Sequence, residues 1–159
     1  MTKKEQDKPL PANVSAERAL LGAVCLDNSL YAATTVLDPE DFSLESHRLI
    51  YSHIAAMMER GEAVDLVTLT EDLGPELHSI SDTPVAYLSD LSTDTIRYAP
   101  SVKDWARIIK AKSLQRQLLS VCAAAINKCY SGESGFTIIS VLREHLDEIE
   151  TSARKGMRV

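Results

Sequence analysis

The sequence predicts an all-α protein whose C-terminal part is a long helical hairpin, and three observations support this fold class. Only 5% of the 159 residues are aromatic, which disfavours a sheet core rich in aromatic side chains. Apolar residues recur at spacings of three and four, as they do in helices that bury one face. The segment from Ser101 to Tyr130 contains neither glycine nor proline, so nothing in it interrupts a single long helix. With 45% hydrophobic residues, the chain can form one core without metal or disulfide support.

The first predicted helix follows Pro11. Ser15 is its expected N-cap, because a serine hydroxyl can accept a hydrogen bond from a free backbone N–H in the first turn. Gly22 is expected to permit a close contact with another helix. One face of this helix carries the apolar residues Leu20, Leu21, Val24 and Cys25.

A second, shorter helix is predicted from Asn28 to Val36. Pro39 ends it, because the residue before a proline is disfavoured in helical geometry. The segment Leu37–Phe42 is then a turn, and we expect the side chain of Phe42 to face the core.

A longer helix is predicted from His47 to Arg60, beginning after Ser46. Gly61 follows it and suits the left-handed conformation that often ends a helix. The apolar residues of this helix recur at helical spacing and are Ile50, Ile54, Met57 and Met58.

Two short helices are predicted before the hairpin. Thr68 and Glu71 have the spacing of a capping box, so a helix is expected to begin near them. A loop follows from Pro75 to Asp82. Pro84 then lies in the first turn of a helix that continues to Leu91, a position where proline is favourable.

The hairpin consists of the long helix, a turn over Ser131–Gly135 and a final helix from Thr137 to Ser152. Its two arms have facing apolar stripes, formed by Ala111, Leu114, Leu118, Val121, Ala125 and Cys129 and by Ile139, Leu142, Leu146 and Ile149. The first arm is apolar beyond that stripe, at Trp105, Ile108, Ile109, Leu119, Cys122 and Ile126. Either the N-terminal helices or another subunit can cover this surplus apolar surface.

The charge and hydropathy of the chain exclude several classes of partner. Its net charge is −6, so weak or no direct binding of nucleic acid is expected. The longest uncharged apolar stretches, Ala19–Leu26 and Leu118–Ile126, are too short to cross a bilayer. The first ten residues are mostly polar and are expected to be a disordered tail. The three cysteines are expected to be free thiols in a reducing compartment, which predicts a cytoplasmic protein.

The residues needed for catalysis or cofactor binding do not occur in recognisable patterns. A phosphate-binding loop requires a Gly-Lys pair, and the sequence has none. The four histidines are scattered, and His47 and His53 point to different faces of one helix, so no metal site is expected. Ser131–Phe136 resembles a nucleophile elbow only superficially, because no strand precedes it. We therefore predict a binding module without catalytic residues, metal or cofactor.

An ordered series of motifs resembles the N-terminal domain of DnaB-family replicative DNA helicases. The resemblance covers about Leu10 to Glu150. The motifs are Pro11–Gly22 (PANVSAERALLG), Pro39–Phe42 (PEDF), His47–Tyr51 (HRLIY), Asp65–Leu69 (DLVTL), Ala86–Leu91 (AYLSDL) and Gln115–Leu118 (QRQL).

The resemblance implies a compact helical head followed by the hairpin. The implied divisions are a tail (1–10), the head (11–98), the oligomerisation hairpin (99–152) and the start of an interdomain linker (153–159). In this family the hairpins pair between subunits, and six copies form a collar built from dimers. The collar receives primase and, in some members, communicates with the helicase loader. ATP and Mg²⁺ are bound by a separate C-terminal domain, so no ATPase activity is expected of these residues.

Two groups of residues are candidates for function. The interface candidates are Trp105, Ile108, Ile109, Leu119, Cys122, Ile126, Ile138, Leu142 and Ile149, and for Trp105 a core position is an equally good interpretation. The polar candidates are Glu17, Asp41, His47 and Arg48, which either form a buried network between the first helices or contact a partner. An alternative to the helicase domain is a freestanding regulator of the same fold that binds a helicase collar.

Overall fold

Six α-helices and three short 3-10 helices form the part of the chain that the computed structural model describes, which comprises residues 8–93, 95 and 99–157. The α-helices are α1 (Val14–Leu26), α2 (Glu45–Glu59), α3 (Leu66–Leu73), α4 (Pro84–Thr93), α5 (Ala99–Tyr130) and α6 (Gly135–Met157). The 3-10 helices are Asn28–Thr34, Pro39–Asp41 and Gly74–Ser79. No strand occurs in these ranges, which confirms the predicted all-α class. None of the helices described combines the length and apolar character needed to span a membrane.

Helix α1 lies at the centre of the head and packs against both α4 and α5. Its N-cap is Asn13 and not the predicted Ser15, because the Asn13 side-chain oxygen accepts a hydrogen bond from the Ala16 N–H at 2.9 Å. Gly22 makes the predicted close contact. A Cβ atom at this position would lie 1.8 Å from the backbone oxygen of Leu91 in α4.

The segment predicted as a second short α-helix is a 3-10 helix that ends at Thr34, before Val36. The Asp27 side chain caps it by accepting the Ser29 N–H at 3.0 Å. The turn that follows confirms the prediction for Phe42, whose side chain is fully buried. It packs against the ring of Tyr51 with ring centroids 4.8 Å apart.

Helix α2 begins at Glu45, slightly earlier than the sequence predicted. Its buried face carries Ile50, Ile54 and Met57, as expected from their spacing. Gly61 follows the helix with a φ of 72°, which only glycine adopts without strain.

The capping box of α3 is formed by Asp65 and Thr68, not by Thr68 and Glu71 as predicted. The Asp65 carboxylate accepts the N–H groups of Val67 at 2.8 Å and Thr68 at 2.9 Å. Most of the predicted loop from Pro75 to Asp82 is in fact the 3-10 helix Gly74–Ser79. Pro84 is the first residue of α4, as predicted.

Helix α5 belongs partly to the head and partly to the hairpin. Val102, Ala106, Ile109 and Ser113 lie at helical spacing on one face and are buried. The first half of α5, which follows the predicted division at residue 99, therefore contributes to the core of the head. Helix α6 continues to Met157, so residues 153–157 of the predicted linker are helical. Residues 1–7 of the predicted tail and residues 158 and 159 of the predicted linker lie outside the described residues.

Candidate interaction surface

The outer part of the hairpin exposes apolar side chains that no other element of the described chain covers. On α5, Leu118 is 37% exposed and Leu119 is 45% exposed. On α6, Ile139 is 53% exposed and Leu146 is 38% exposed. Several exposed apolar side chains on one hairpin are typical of a site of protein association.

The residues predicted for an interface lie in three different environments. Ile109 and Ile138 are buried within the single chain, so their prediction as exposed contact residues is corrected. Ile109 belongs to the head core, against which the first part of α5 packs. Ile108, Leu119 and Cys122 are exposed, and Trp105, Ile126, Leu142 and Ile149 are half-buried. Trp105 packs partly against the head core, and whether it also contacts a partner stays a prediction.

Sequence reasoning missed two aromatic side chains at the end of the hairpin. Tyr130 is 85% exposed and Phe136 is 87% exposed, one on each side of the turn. Gly132 in the turn has a φ of 83°. Glu133 lies between the two aromatic residues, with its carboxylate 3.7 Å from the Lys128 ammonium. We call Tyr130, Glu133 and Phe136 the hairpin tip; its sequence signal is an aromatic residue at either end of a short polar turn.

The opposite end of the hairpin contains an apolar groove, which the sequence did not predict. The groove has a volume of about 710 Å³ and lies between the 3-10 helix Asn28–Thr34, α5 and the C-terminal part of α6. Its apolar lining consists of Ala32, Ala33, Val36, Ala111, Leu114, Ile149 and Ala153, and its polar lining of Lys103, Arg107, Lys110, Gln117 and Ser152. We call it the base groove.

Asp41 connects the head to α5 through its carboxylate and its backbone oxygen, and these contacts hold the hairpin in position relative to the head. One oxygen of its buried carboxylate accepts a hydrogen bond from the Ser113 hydroxyl at 2.6 Å. The other oxygen lies 2.8 Å from the Lys110 ammonium. Arg116 donates to the backbone oxygens of Asp41 and Pro11, the latter at 2.8 Å. Burial lowers the pKa of Arg116 from its usual value, and the nearby Glu17 and Asp41 carboxylates partly oppose that effect.

Glu17 and His47 form a buried pair that connects α1 to α2. The Nδ1 atom of His47 lies 2.6 Å from a Glu17 carboxylate oxygen, and its Nε2 atom lies 2.7 Å from the hydroxyl of Tyr87 in α4. The other Glu17 oxygen accepts the Ser43 N–H at 2.7 Å. Burial alone raises the pKa of Glu17, but the hydrogen bonds from His47 and Ser43 together hold it below its ordinary value. The guanidinium of Arg18 lies 5.0 Å from the centre of the Tyr87 ring.

The four polar candidates are grouped around the short segment Asp41–Ser43. Arg48 donates from its Nε atom to the backbone oxygen of Phe42 at 2.8 Å. Glu17 accepts the Ser43 N–H, His47 contacts Glu17, and Asp41 belongs to the segment. The structure therefore brings the four residues together. Their partners Tyr87, Lys110, Ser113 and Arg116 were not predicted, because they come from distant parts of the sequence.

A second polar cluster that the sequence did not indicate lies around His53, farther along α2. The two ring nitrogens of His53 lie 2.6 Å from an Asp72 oxygen and 3.1 Å from a Glu76 oxygen. Arg60 contacts Asp72 at 2.6 Å. The hydrogen bond from His53 lowers the pKa of Asp72 and outweighs the opposing effect of burial. Across residues 8–93, 95 and 99–157, no group of three or more His, Cys, Asp or Glu side chains is arranged to hold a metal ion.

Comparison with known proteins identifies sequences and structures similar to this chain. The family model described as the DnaB-like helicase N-terminal domain matches residues 9–111. The chain is 36% identical over 148 residues to the replicative DNA helicase DnaB of Geobacillus stearothermophilus, which covers 91% of this chain and 32% of that protein. It is 35% identical over 136 residues to the replicative DNA helicase DnaC of Bacillus subtilis, which covers 84% of this chain and 29% of that protein. The chain thus spans about a third of the length of these relatives.

Two solved structures have the same fold. The N-terminal domain of DnaB helicase from Mycobacterium tuberculosis superimposes with a TM-score of 0.77 at 24% identity, over 88% of this chain and 99% of that one. A DnaB-like replicative helicase, described together with its interactions with primase, gives a TM-score of 0.71 at 24% identity. That alignment covers 88% of this chain and 31% of the helicase chain. The similarity therefore extends through the head and most of the hairpin.

Proposed function

This chain belongs to the family of DnaB-like helicase N-terminal domains, and from that membership we propose that it is the collar domain of a replicative DNA helicase. Its proposed roles in DNA replication are to associate helicase subunits and to provide a docking surface for primase. The observation that carries this proposal is the apolar stripe on the outer hairpin, beyond the part of α5 that packs on the head.

The structure of α5 supports a role in self-association. Its first half is held in the head by buried side chains and by the contacts of Asp41 with Lys110 and Ser113. Beyond Arg116, its second half packs against α6 and leaves Leu118 and Leu119 exposed. A second hairpin packed on this face would remove these leucines from water, and each fully buried leucine contributes about 2 kcal/mol.

Primase docking is supported by the family and by the solved helicase that is described with its interactions with primase. A helicase loader is a further proposed partner. We assign the hydrolysis of ATP with Mg²⁺ to another domain of the helicase. The net charge of −6 argues against strong binding of DNA by the domain described here. The proposed role in replication implies a cytoplasmic location.

Multi-angle light scattering over a wide range of protein concentrations tests the association. We expect the mean mass to rise from that of one chain, 17.5 kDa, to that of a dimer or a larger assembly. Binding of the cognate primase, measured by isothermal titration calorimetry, tests the docking role. A chain that stays monomeric at high concentration and does not bind primase would contradict the proposal. A chain that binds the collar of a separate helicase, but not itself, would favour the freestanding regulator.

A further inference from the structure

We infer that the base groove binds a small amphiphilic anion, a molecule with an aliphatic chain and a carboxylate or phosphate head group. The groove has a mostly apolar lining and a cationic edge, and each part fits one half of such a ligand. The site is additional to the proposed function and does not depend on it, because one chain supplies all of its lining residues.

The size and lining of the base groove are those of a small-molecule site. Its volume of about 710 Å³ lies within the range of roughly 300–1,000 Å³ that is usual for ligand pockets. Four alanines on three elements contribute to the lining, and their small side chains leave space between these elements. The alanines are Ala32, Ala33, Ala111 and Ala153. Val36, Leu114 and Ile149 add larger aliphatic side chains, so most of the groove offers apolar contacts.

The lining favours an aliphatic chain over a ligand with aromatic rings, such as a nucleotide. No aromatic side chain is among the lining residues, so a planar ring would find none on which to stack. Gln117 and Ser152 are the uncharged polar residues of the lining, and Gln117 already donates to the Ser113 hydroxyl at 3.1 Å. An aliphatic chain needs only apolar contacts, and each methylene that it removes from water strengthens its binding.

Three cations at the groove indicate that the head group of the ligand is an anion. Lys103, Arg107 and Lys110 follow each other on α5 at spacings of four and three, which places them on one side of the helix. No carboxylate is among the lining residues, although the whole chain has a net charge of −6. The groove is therefore a local positive region on an acidic protein, and it attracts anions.

Lys103 is the cation that is most available to the head group. The buried Asp41 carboxylate holds Lys110 at 2.8 Å. Arg107 contacts Asp104 at 2.6 Å, but both side chains are largely exposed, so solvent weakens this pair. Lys103 makes no ion pair with any residue that the structure describes. Lys103 and Arg107 can therefore bind an anion while Lys110 stays with Asp41.

Isothermal titration calorimetry with a series of saturated carboxylates tests the inference on the whole chain. The probes are hexanoate, octanoate, decanoate and dodecanoate, each used below the concentration at which it forms micelles. We expect one molecule bound per chain and an affinity that rises about threefold to fourfold for each added methylene until the groove is full. Arg107 and Leu114 lie roughly 10 Å apart along α5, so a chain of medium length should reach that limit. No binding, or an affinity independent of chain length, would overturn the inference.

Two substitutions with matched controls test whether the ligand lies in the groove. Ala111→Leu fills part of the groove and should weaken the binding of decanoate by about tenfold, whereas Ala124→Leu, at an exposed position of α5 outside the groove, should not. Lys103→Ala should weaken it by about threefold, and Lys112→Ala, which does not alter the lining, is the control for charge. Decanol has no charge and should bind the parent chain and Lys103→Ala equally. Equal binding of decanoate to all four variants would place the ligand elsewhere and refute the site.

Amide chemical shifts distinguish the groove from the exposed hairpin surface. Decanoate should shift the amide signals of Ala33, Ala111 and Leu114 and leave those of Leu119 and Ile139 unchanged. Shifts confined to Leu119 and Ile139 would show non-specific binding to exposed apolar side chains and would overturn the inference. Vesicles of phosphatidylglycerol distinguish a free molecule from a membrane lipid as the source of the anion. Binding of the chain to these vesicles without binding of monomeric decanoate would indicate a membrane surface and contradict a single-molecule site.

Discussion

The hydroxyl of Ser113 donates a hydrogen bond of 2.6 Å to the carboxylate of Asp41, although the two residues lie 72 positions apart in the sequence. Both side chains are buried, and Lys110 approaches the second carboxylate oxygen at 2.8 Å. The contact connects the end of the second 3-10 helix to the middle of α5. This contact lies where α5 leaves the head and continues into the hairpin.

Replacement of Asp41 should therefore destabilise the chain more than replacement of an exposed neighbour. Asp41→Ala leaves the Ser113 hydroxyl and the partly buried Lys110 ammonium without their acceptor, and we expect a loss of about 3 kcal/mol in unfolding free energy. Urea denaturation followed by circular dichroism measures the change. Glu40→Ala is the matched control and should change the unfolding free energy by less than about 0.5 kcal/mol. Equal effects of the two substitutions would show that the Asp41 contacts contribute nothing specific.

Gly22 provides a prediction about helix packing. Gly22→Ala places a methyl group 1.8 Å from the Leu91 backbone oxygen and 2.4 Å from the Thr95 hydroxyl oxygen, so α1 and α4 must separate. We expect a destabilisation of about 2 kcal/mol or more, as for other overpacked contacts. Gly135→Ala is the control, because nothing lies within 4 Å of the added methyl group. Thermal unfolding should distinguish them, and a Gly22→Ala protein as stable as the control would refute the close contact.

The N-cap of α1 can be identified by a pair of single substitutions. Asn13→Ala removes the side-chain acceptor of the Ala16 N–H and should cost about 1 kcal/mol. Ser15→Ala should have little effect, because Asn13 already caps the helix. The reverse order of stabilities in chemical denaturation would restore Ser15 as the cap.

Glu17 should make the stability of the fold sensitive to acid. Its pKa is lower in the folded chain than in the unfolded chain, so the ionised carboxylate stabilises the fold at neutral pH. This contribution is fully present above the unfolded pKa of about 4.5 and is lost as the pH falls through the lower folded value. In Glu17→Gln the decline of unfolding free energy below about pH 5 should be less steep than in the parent chain. Glu40→Gln serves as control; a parallel decline in parent and Glu17→Gln would exclude the proposed contribution of Glu17.

One charged substitution can distinguish a role of the exposed hairpin surface in association from a role in the stability of the core. Leu119→Glu should weaken self-association by about tenfold or more, because it places a carboxylate in a surface that a second copy must desolvate. The stability of the monomer should change by less than about 1 kcal/mol, since Leu119 is 45% exposed. Val67→Glu on α3 is the matched control and should leave association unchanged. Sedimentation velocity and denaturation together test both statements, and unchanged association in Leu119→Glu would remove this face from the interface.

The helices themselves were predictable because their apolar residues repeat with the helical period. Ile50, Ile54 and Met57 are buried as their spacing requires. The exact helix ends were less predictable, because several side chains near each start can act as caps. Asn13 competes with Ser15, and Asp65 competes with Thr68 as the first member of a capping box. Which one caps the helix depends on the backbone conformation before the first turn, and sequence spacing does not determine that conformation.

The interaction surface was predictable only in part. The spacing of apolar residues on α5 showed that one partner helix would not cover them all, but it did not distinguish Ile109, which is buried in the head core, from Ile108, which is exposed. That distinction depends on the rotation of α5 relative to the head. The polar candidates were recognised as a set, yet their contacts with Tyr87 and Ser113 require the packing of distant helices. The base groove likewise depends on the packing of three elements, which are the 3-10 helix Asn28–Thr34, α5 and α6.

Helix α5 is continuous from the head core to the hairpin tip, so a rotation of its first half displaces its far end by a larger distance. The buried face of α5 ends at Ser113, and from there the helix extends for about 25 Å to Tyr130 outside the head. A rotation of α5 by about 5° at Ser113 would move Tyr130 by roughly 2 Å. This shift is about half of the shortest spacing between two packed aromatic rings. Small adjustments in the packing of the head are thus amplified at the far end of the molecule, where a neighbouring subunit would sense them.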